Sequence, residues 1–191
     1  MSLLPTELDQ LMSAENVLQI MNKLSQCFVA GSRSLPAQVN YVPLIPVISF
    51  SLLGHDWAVP LDQVAELIEI QDCTPLPGVK PWVVGVSNLR GKLLPVIDFA
   101  QFLCGQLSAV NRLQRIVVLD RQDVFVGLIV DELKGMKHFS SDAYEPDNQY
   151  VDTALNPFVQ GYYQGDDDTR TLLFSPDALI ESQSFRDVAL S

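Results

Sequence analysis

The polarity pattern changes character once along the chain. From Ser13 to Gly31 the apolar residues Val17, Ile20, Met21, Leu24 and Phe28 recur at helical spacing. That spacing predicts one amphipathic helix, with Ser13 as N-cap and Gly31 as its stop. Leu8, Leu11 and Met12 mark a short helical turn ahead of it. Pro36, Pro43 and Pro46 then disfavour helix and central strand alike, so residues 31–46 read as an extended linker. The globular part is expected from Val47.

Beyond that point the helical period gives way to short β-like runs separated by turn residues. VISFSLL and WAVPL flank Gly54-His55-Asp56, and AELIEI precedes the break Pro75-Leu76-Pro77-Gly78. VVGVSNL and KLLPVI form the arms of a hairpin whose turn is Arg90-Gly91, Gly91 supplying the backbone freedom of a tight reversal. RIVVLD and VFVGLIVDEL flank Arg121-Gln122-Asp123; an irregular stretch follows, then PFVQGYYQ, the acidic turn GDDD and TRTLLF. Asp98 is placed to cap a short helix through Phe102 and Leu103. Ser175, Pro176 and Asp177 give SPDALIES a cap, a first-turn proline and an acid at the positive end. The class is mainly β, and each half runs strands, a glycine-containing apolar run and a closing helix, which points to two similar lobes.

Composition narrows what such a body can do. With 191 residues, 48% of them hydrophobic, the chain can bury one substantial core. A formal net charge of −11 excludes sequence-independent nucleic-acid binding, which needs a basic surface. No run approaches the roughly 18 consecutive apolar residues of a membrane helix, and the start MSLLPTELDQ lacks a signal-peptide pattern, so no membrane insertion and a cytoplasmic location are expected. Cys27, Cys73 and Cys104 are odd in number and unpaired in spacing, and read as reduced, mostly buried thiols.

The search for bond chemistry returns little. His55 and His138 are the two histidines, neither in a nucleophile–base motif. Five scattered Cys and His residues do not make a zinc site. GDDD lacks the alternating ligands of a calcium loop, and no phosphate-cradling glycine motif occurs. No catalytic, metal or cofactor role is therefore expected. Charge placement says more: Lys80, Arg90 and Lys92 lie between Thr74 and Ile97 with no acid, whereas residues 139–168 hold seven acids and no base. A basic island on an acidic body is either a plain solvated face or a device that steers a partner.

Gly85-Val86-Ser87-Asn88-Leu89-Arg90-Gly91, followed by Leu94-Pro95-Val96-Ile97-Asp98, closely resembles the GVxNLRG…PVxDL signature of CheW-like chemotaxis adaptors. Val64-Ala65-Glu66-Leu67, the Leu76-Pro77 and Trp82-Val83-Val84-Gly85 approach, and Gly127-Leu128-Ile129-Val130-Asp131-Glu132 agree with that family, so the resemblance runs from about Val47 to Ser182. One departure is at Leu172-Leu173-Phe174-Ser175-Pro176, where the family often has Asp after the apolar pair.

The resemblance implies two SH3-like five-stranded β-barrel lobes with short helices, after an N-terminal amphipathic helix. It divides the chain into an extension with linker, 1–46, a CheW-like domain, 47–185, and a tail, 186–191. It implies a non-enzymatic signalling adaptor, without cofactor, that couples chemoreceptor cytoplasmic tips to the regulatory domain of a CheA-type histidine kinase beside membrane-bound receptor complexes. The N-terminal extension and the wording LPGVKPWVVGVSNLRGKLLPVIDF look most like adaptors of chemosensory systems controlling type IV pili. The alternative is a structural or pilus-assembly scaffold that engages no kinase. Val64, Glu66, Gly85, Asn88, Arg90 and Gly91 match the partner-binding positions, with Glu66 expected to pair with Arg90 across adjacent strands. Asn88 has a second use, satisfying the turn's own amides, and Gly85 either admits a close backbone approach or sets strand twist. The leading helix fits a lid, a dimer contact or a docking element equally well.

Overall fold

The structure, a computed structural model, describes residues 14–30, 42–105, 112–147, 151–165 and 169–189. The turn at Leu8–Met12, the cap positions Ser13 and Gly31, linker residues 31–41 and Asp166–Asp168 lie outside the described residues, as does the side chain of Cys27. The chain divides into two compact units, 1–41 and 42–191. In the first, helix α1 spans Ala14–Ala30, the interval its apolar period predicts. Val17, Leu18, Ile20, Met21 and Leu24 on it are exposed.

The second unit is built of β1 (Leu44–Leu52), β2 (His55–Pro60), β3 (Glu66–Glu69), β4 (Val83–Leu89), β5 (Lys92–Asp98), β6 (Arg115–Arg121), β7 (Val124–Val130), β8 (Glu132–Ser140), β9 (Tyr144–Glu145), β10 (Val159–Gln164) and β11 (Arg170–Phe174). Helix α2 (Phe99–Cys104) follows β5, and α3 (Pro176–Glu181) and α4 (Gln183–Arg186) follow β11. The strands form two curled sheets, ordered β8-β1-β2-β11-β10-β9 and β3-β6-β7-β5-β4. The first is assembled from both ends of the chain and is called the terminal lobe; the second is the central lobe. The mainly β, two-lobed expectation holds, the terminal lobe having a sixth strand in the two-residue β9.

The lobes repeat one plan in rotated chain order. The central lobe runs β3, the β4–β5 hairpin, α2, then the β6–β7 hairpin, with β5 parallel to β7. The terminal lobe runs β8, the β10–β11 hairpin, α3, then returns to the β1–β2 hairpin at the start of the chain, with β11 parallel to β2. Each curl closes at a glycine. Thr74 bridges Val86, one residue past Gly85, and Glu145 pairs with Tyr162, one past Gly161. A Cβ on Gly85 would lie 2.4 Å from the Thr74 carbonyl oxygen, and one on Gly161 2.4 Å from that of Glu145. Both positions need glycine because two backbones touch there.

Three hydrophobic clusters follow from strand alternation. Leu89, Leu94, Val96, Ile116 and Val118 fill the central barrel, and Val47, Ala58, Tyr163 and Leu173 the terminal one. The largest lies between the lobes, where Phe50, Trp57, Phe99 and Phe174 meet with ring centroids 5.1–6.4 Å apart. Helices α2 and α3 deliver Phe99, Leu103 and Leu179 into this layer. Their caps are as predicted: Asp98 accepts the Gln101 N–H at 2.9 Å and Ser175 the Ala178 N–H at 3.3 Å. Ser175 thus caps α3 as Asp98 caps α2.

Four details differ from the sequence expectations. First, β1 begins at Leu44 and includes Pro46. At Leu44–Pro46 it pairs with β8 alone, β2 joining only at Val47, so the missing proline N–H faces no second strand. Second, VFVGLIVDEL is not one strand. It breaks at Asp131, whose Oδ2 accepts the Leu53 N–H at 2.9 Å while its own N–H donates to the Ser51 carbonyl at 3.1 Å. Third, the stretch after it, expected to be irregular, continues as β8 to Ser140 and adds the two-residue β9. Fourth, Cys104 is exposed, because it is the last residue of α2 and turns away from the core, and Cys73, ahead of Thr74, is only half-buried against the central barrel.

Candidate partner-binding site on the central lobe

The hairpin β4–β5 reverses at Arg90 and Gly91 with φ of 52° and 84°. Two positive φ values define the turn whose twist matches that of paired strands. Arg90 is a non-glycine residue in left-handed backbone, a strained choice that retains a cation where Asn would fit better. Asn88 accepts the Gly91 N–H through Oδ1 at 2.8 Å, so its side chain is engaged in the turn.

Arg90 Nη2 donates to Glu66 Oε1 at 2.7 Å. The pair forms, though not across adjacent strands: β3 and β4 are the two edges of the central sheet, and only its curl brings them together. The chain leaving β3 crosses this seam, where Ser87 Oγ donates to Gln71 Oε1 at 3.0 Å before Thr74 joins β4. The Arg90 side chain is 79% exposed and that of Glu66 27%. One half-sheltered carboxylate therefore orients a guanidinium that keeps most of its surface for a partner.

Beneath the pair lies a pocket of about 220 Å³, lined by Ala65, Glu66, Leu89, Arg90, Lys92, Val118, Asp120 and Phe125. Leu89 and Val118 belong to the barrel interior, so the pocket is the barrel's mouth, with an apolar floor and a rim of both charges. Lys92 Nζ stands 5.4 Å from the Phe125 ring centroid.

The six sequence-chosen residues divide. Glu66, Arg90, Asn88 and Gly91 gather at the mouth, the last two making its turn. Val64 is half-buried against the core between the lobes and precedes β3. Gly85 is buried, and the backbone it admits is the chain's own Thr74–Pro75. Sequence reasoning passed over Asp120, Phe125 and Leu93. Leu93 is 75% exposed beside Arg90 and faces Asn88 across the hairpin. Alternation signals it: with Leu94 inside the barrel, Leu93 must point out.

Among the described residues no group of His, Cys, Asp and Glu is placed to hold a metal ion, and no helix is long and apolar enough to cross a membrane. Half-buried Cys73 has its thiol pKa pushed up by burial and by the neighbouring Asp72. Fold and site together make a two-barrel β platform with a charged, apolar-floored mouth.

Residues 46–184 match the CheW-like domain. The chain is 41% identical over 156 residues to Protein PilI of Pseudomonas aeruginosa, covering 82% of this chain and 86% of that one. It is 34% identical over 112 residues to Chemotaxis protein CheW of Bacillus subtilis, covering 58% and 72%. Its fold is that of the scaffolding protein TtCheW from Thermoanaerobacter tengcongensis, with a TM-score of 0.65 at 24% identity over 74% of this chain and 96% of that one. The chain belongs to the CheW-like domain family.

Proposed function

We propose that this protein is a non-enzymatic adaptor that holds a chemoreceptor's cytoplasmic tip beside the regulatory domain of a CheA-type histidine kinase. The domain expected at residues 47–185 does this work, with β1 extending it back to Leu44, and 186–191 is a tail. Similarity to PilI favours a chemosensory system controlling type IV pili, in the cytoplasm against membrane-bound receptors.

The observation that carries the proposal is the Arg90–Glu66 pair over the barrel mouth. A permanently charged planar fork, oriented by one acid and flanked by exposed Leu93, combines specificity with apolar contact area. Glu66, Arg90, Asn88 and Gly91 form the rim; Val64 and Gly85 support it from below.

Arg90→Asn tests this cleanly, because Asn-Gly is the preferred sequence for the turn and the exposed ion pair contributes only about 0–1 kcal/mol. The variant should melt no lower than the parent yet bind receptor tip or kinase regulatory domain at least ten-fold more weakly in a titration. Undiminished binding of both would refute the assignment. Failure of the unaltered protein to bind either would favour the kinase-independent scaffold.

A further inference from the structure

Asp187, Val188 and Ala189, which follow α4, lie along the body. Lys80 donates its backbone N–H to the Val188 carbonyl at 2.9 Å, and Val79 forms an antiparallel bridge with Ala189. Lys80 Nζ meets Asp187 Oδ2 at 2.9 Å, with side chains 29% and 53% exposed. The stretch Leu76–Pro81 connects the closing bridge at Thr74 to β4, and at Val79 and Lys80 its backbone partners are these tail residues.

The attachment is uneven. Phe185 is buried and stacked 6.1 Å from Trp82, and Arg186 Nε donates to the Ile180 carbonyl at 2.9 Å. Beyond it, Asp187, Val188 and Ala189 are all exposed, held to the body by the Lys80 ion pair, the Val79 bridge with its Lys80 N–H bond, and the Asp187 N–H on the Gln183 carbonyl at 3.0 Å. Exposed pairs of this kind are weak and screened by salt, and short peripheral segments open at little cost.

We propose that the edge Val79–Lys80 is a docking site for an extended acidic segment of a partner protein, and that the chain's own Asp187–Ala189 is its resident occupant. The tail displays the chemistry the edge accepts: a carboxylate reaching Lys80 and a backbone adding one strand register beside Val79. Lys80 lies at the opposite end of β4 from Arg90 and Lys92, and Asp187 neutralises it until a competing acid arrives. This assignment is independent of the barrel-mouth reading.

The test uses the full chain and a form ending at Arg186, which keeps the Phe185 anchor. In the full chain the Lys80 amide should exchange slowly, and in the shortened form at least ten-fold faster. An acetylated Arg-Asp-Val-Ala-Leu-Ser peptide should shift the Val79 and Lys80 resonances of the shortened form at concentrations that leave the full chain unaffected. Asn in place of the peptide's Asp should weaken binding about two- to five-fold, as should 0.5 M salt, and Lys80→Glu in the shortened form should abolish it. Equal amide exchange in the two forms, or peptide binding indifferent to Lys80→Glu, would overturn the proposal. So would a concentration-dependent dimer of the full chain that disappears on shortening, since the occupant would then be a second copy's tail.

Discussion

At the residue scale, the side chains of the signature stretch divide between holding the turn and facing outward. Asn88 closes the turn through the Gly91 amide, whereas Arg90 projects from it. Asn88→Ala should therefore cost about 1 kcal/mol in urea unfolding, the worth of one hydrogen bond, while partner affinity in the folded protein changes less than two-fold. A large loss of affinity at unchanged stability would instead make Asn88 a contact residue. Gly85→Ala is the opposite case. Its new methyl would strike the Thr74 carbonyl, which is backbone and cannot step aside. Destabilisation of about 1–3 kcal/mol is expected, with faster amide exchange at Thr74 and Val86, whose N–H groups bond each other's carbonyls across the seam.

At the scale of elements, the corresponding helices α2 and α3 begin on different caps, Asp98 and Ser175, that do one job. Asp98→Ala and Ser175→Ala should each lower stability by about 0.5–2 kcal/mol, and similarly, which paired denaturation curves would check. Elements like these were legible because local chemistry writes them: a cap before an apolar turn, Arg-Gly between alternating arms, Pro176 at a first helical position. Strand β8 was not. Its nine residues lie on a sheet edge with most side chains exposed, so Lys134, Met136, Lys137 and His138 show no apolar alternation. Lys134 instead reaches across β1 to pair with Asp56 on β2, a contact invisible until the strand order is known. The Glu66–Arg90 pair was expected from resemblance, but its route across the closing seam belongs to tertiary curl.

At the scale of the molecule, the cluster between the lobes joins residues from both sheets and from α2, α3 and α4, so neither lobe has a separate large core. Arg121 adds a two-pronged link from the β6–β7 turn to Asp177 on α3, with N–O distances of 3.0 and 3.1 Å. Unfolding of residues 42–191 should accordingly be one cooperative step, with near-ultraviolet and far-ultraviolet circular dichroism following the same curve. Two resolved transitions would mean that the lobes are energetically separate. Leu179→Ala, which removes a fully buried side chain from this layer, should lower stability by about 2–5 kcal/mol without dividing the transition.

The rotated order of the two lobes has a bearing on birth at the ribosome. The central barrel has all its strands once Val130 has emerged, whereas the terminal barrel must wait for β11 to be synthesised and laid beside β2. Until then the first hairpin carries Phe50 and Trp57 without their lid of Phe174. From the synthesis of β2 until that of β11 the nascent polypeptide thus keeps its stickiest surface uncovered, which makes the final strands the ones whose delay most invites aggregation.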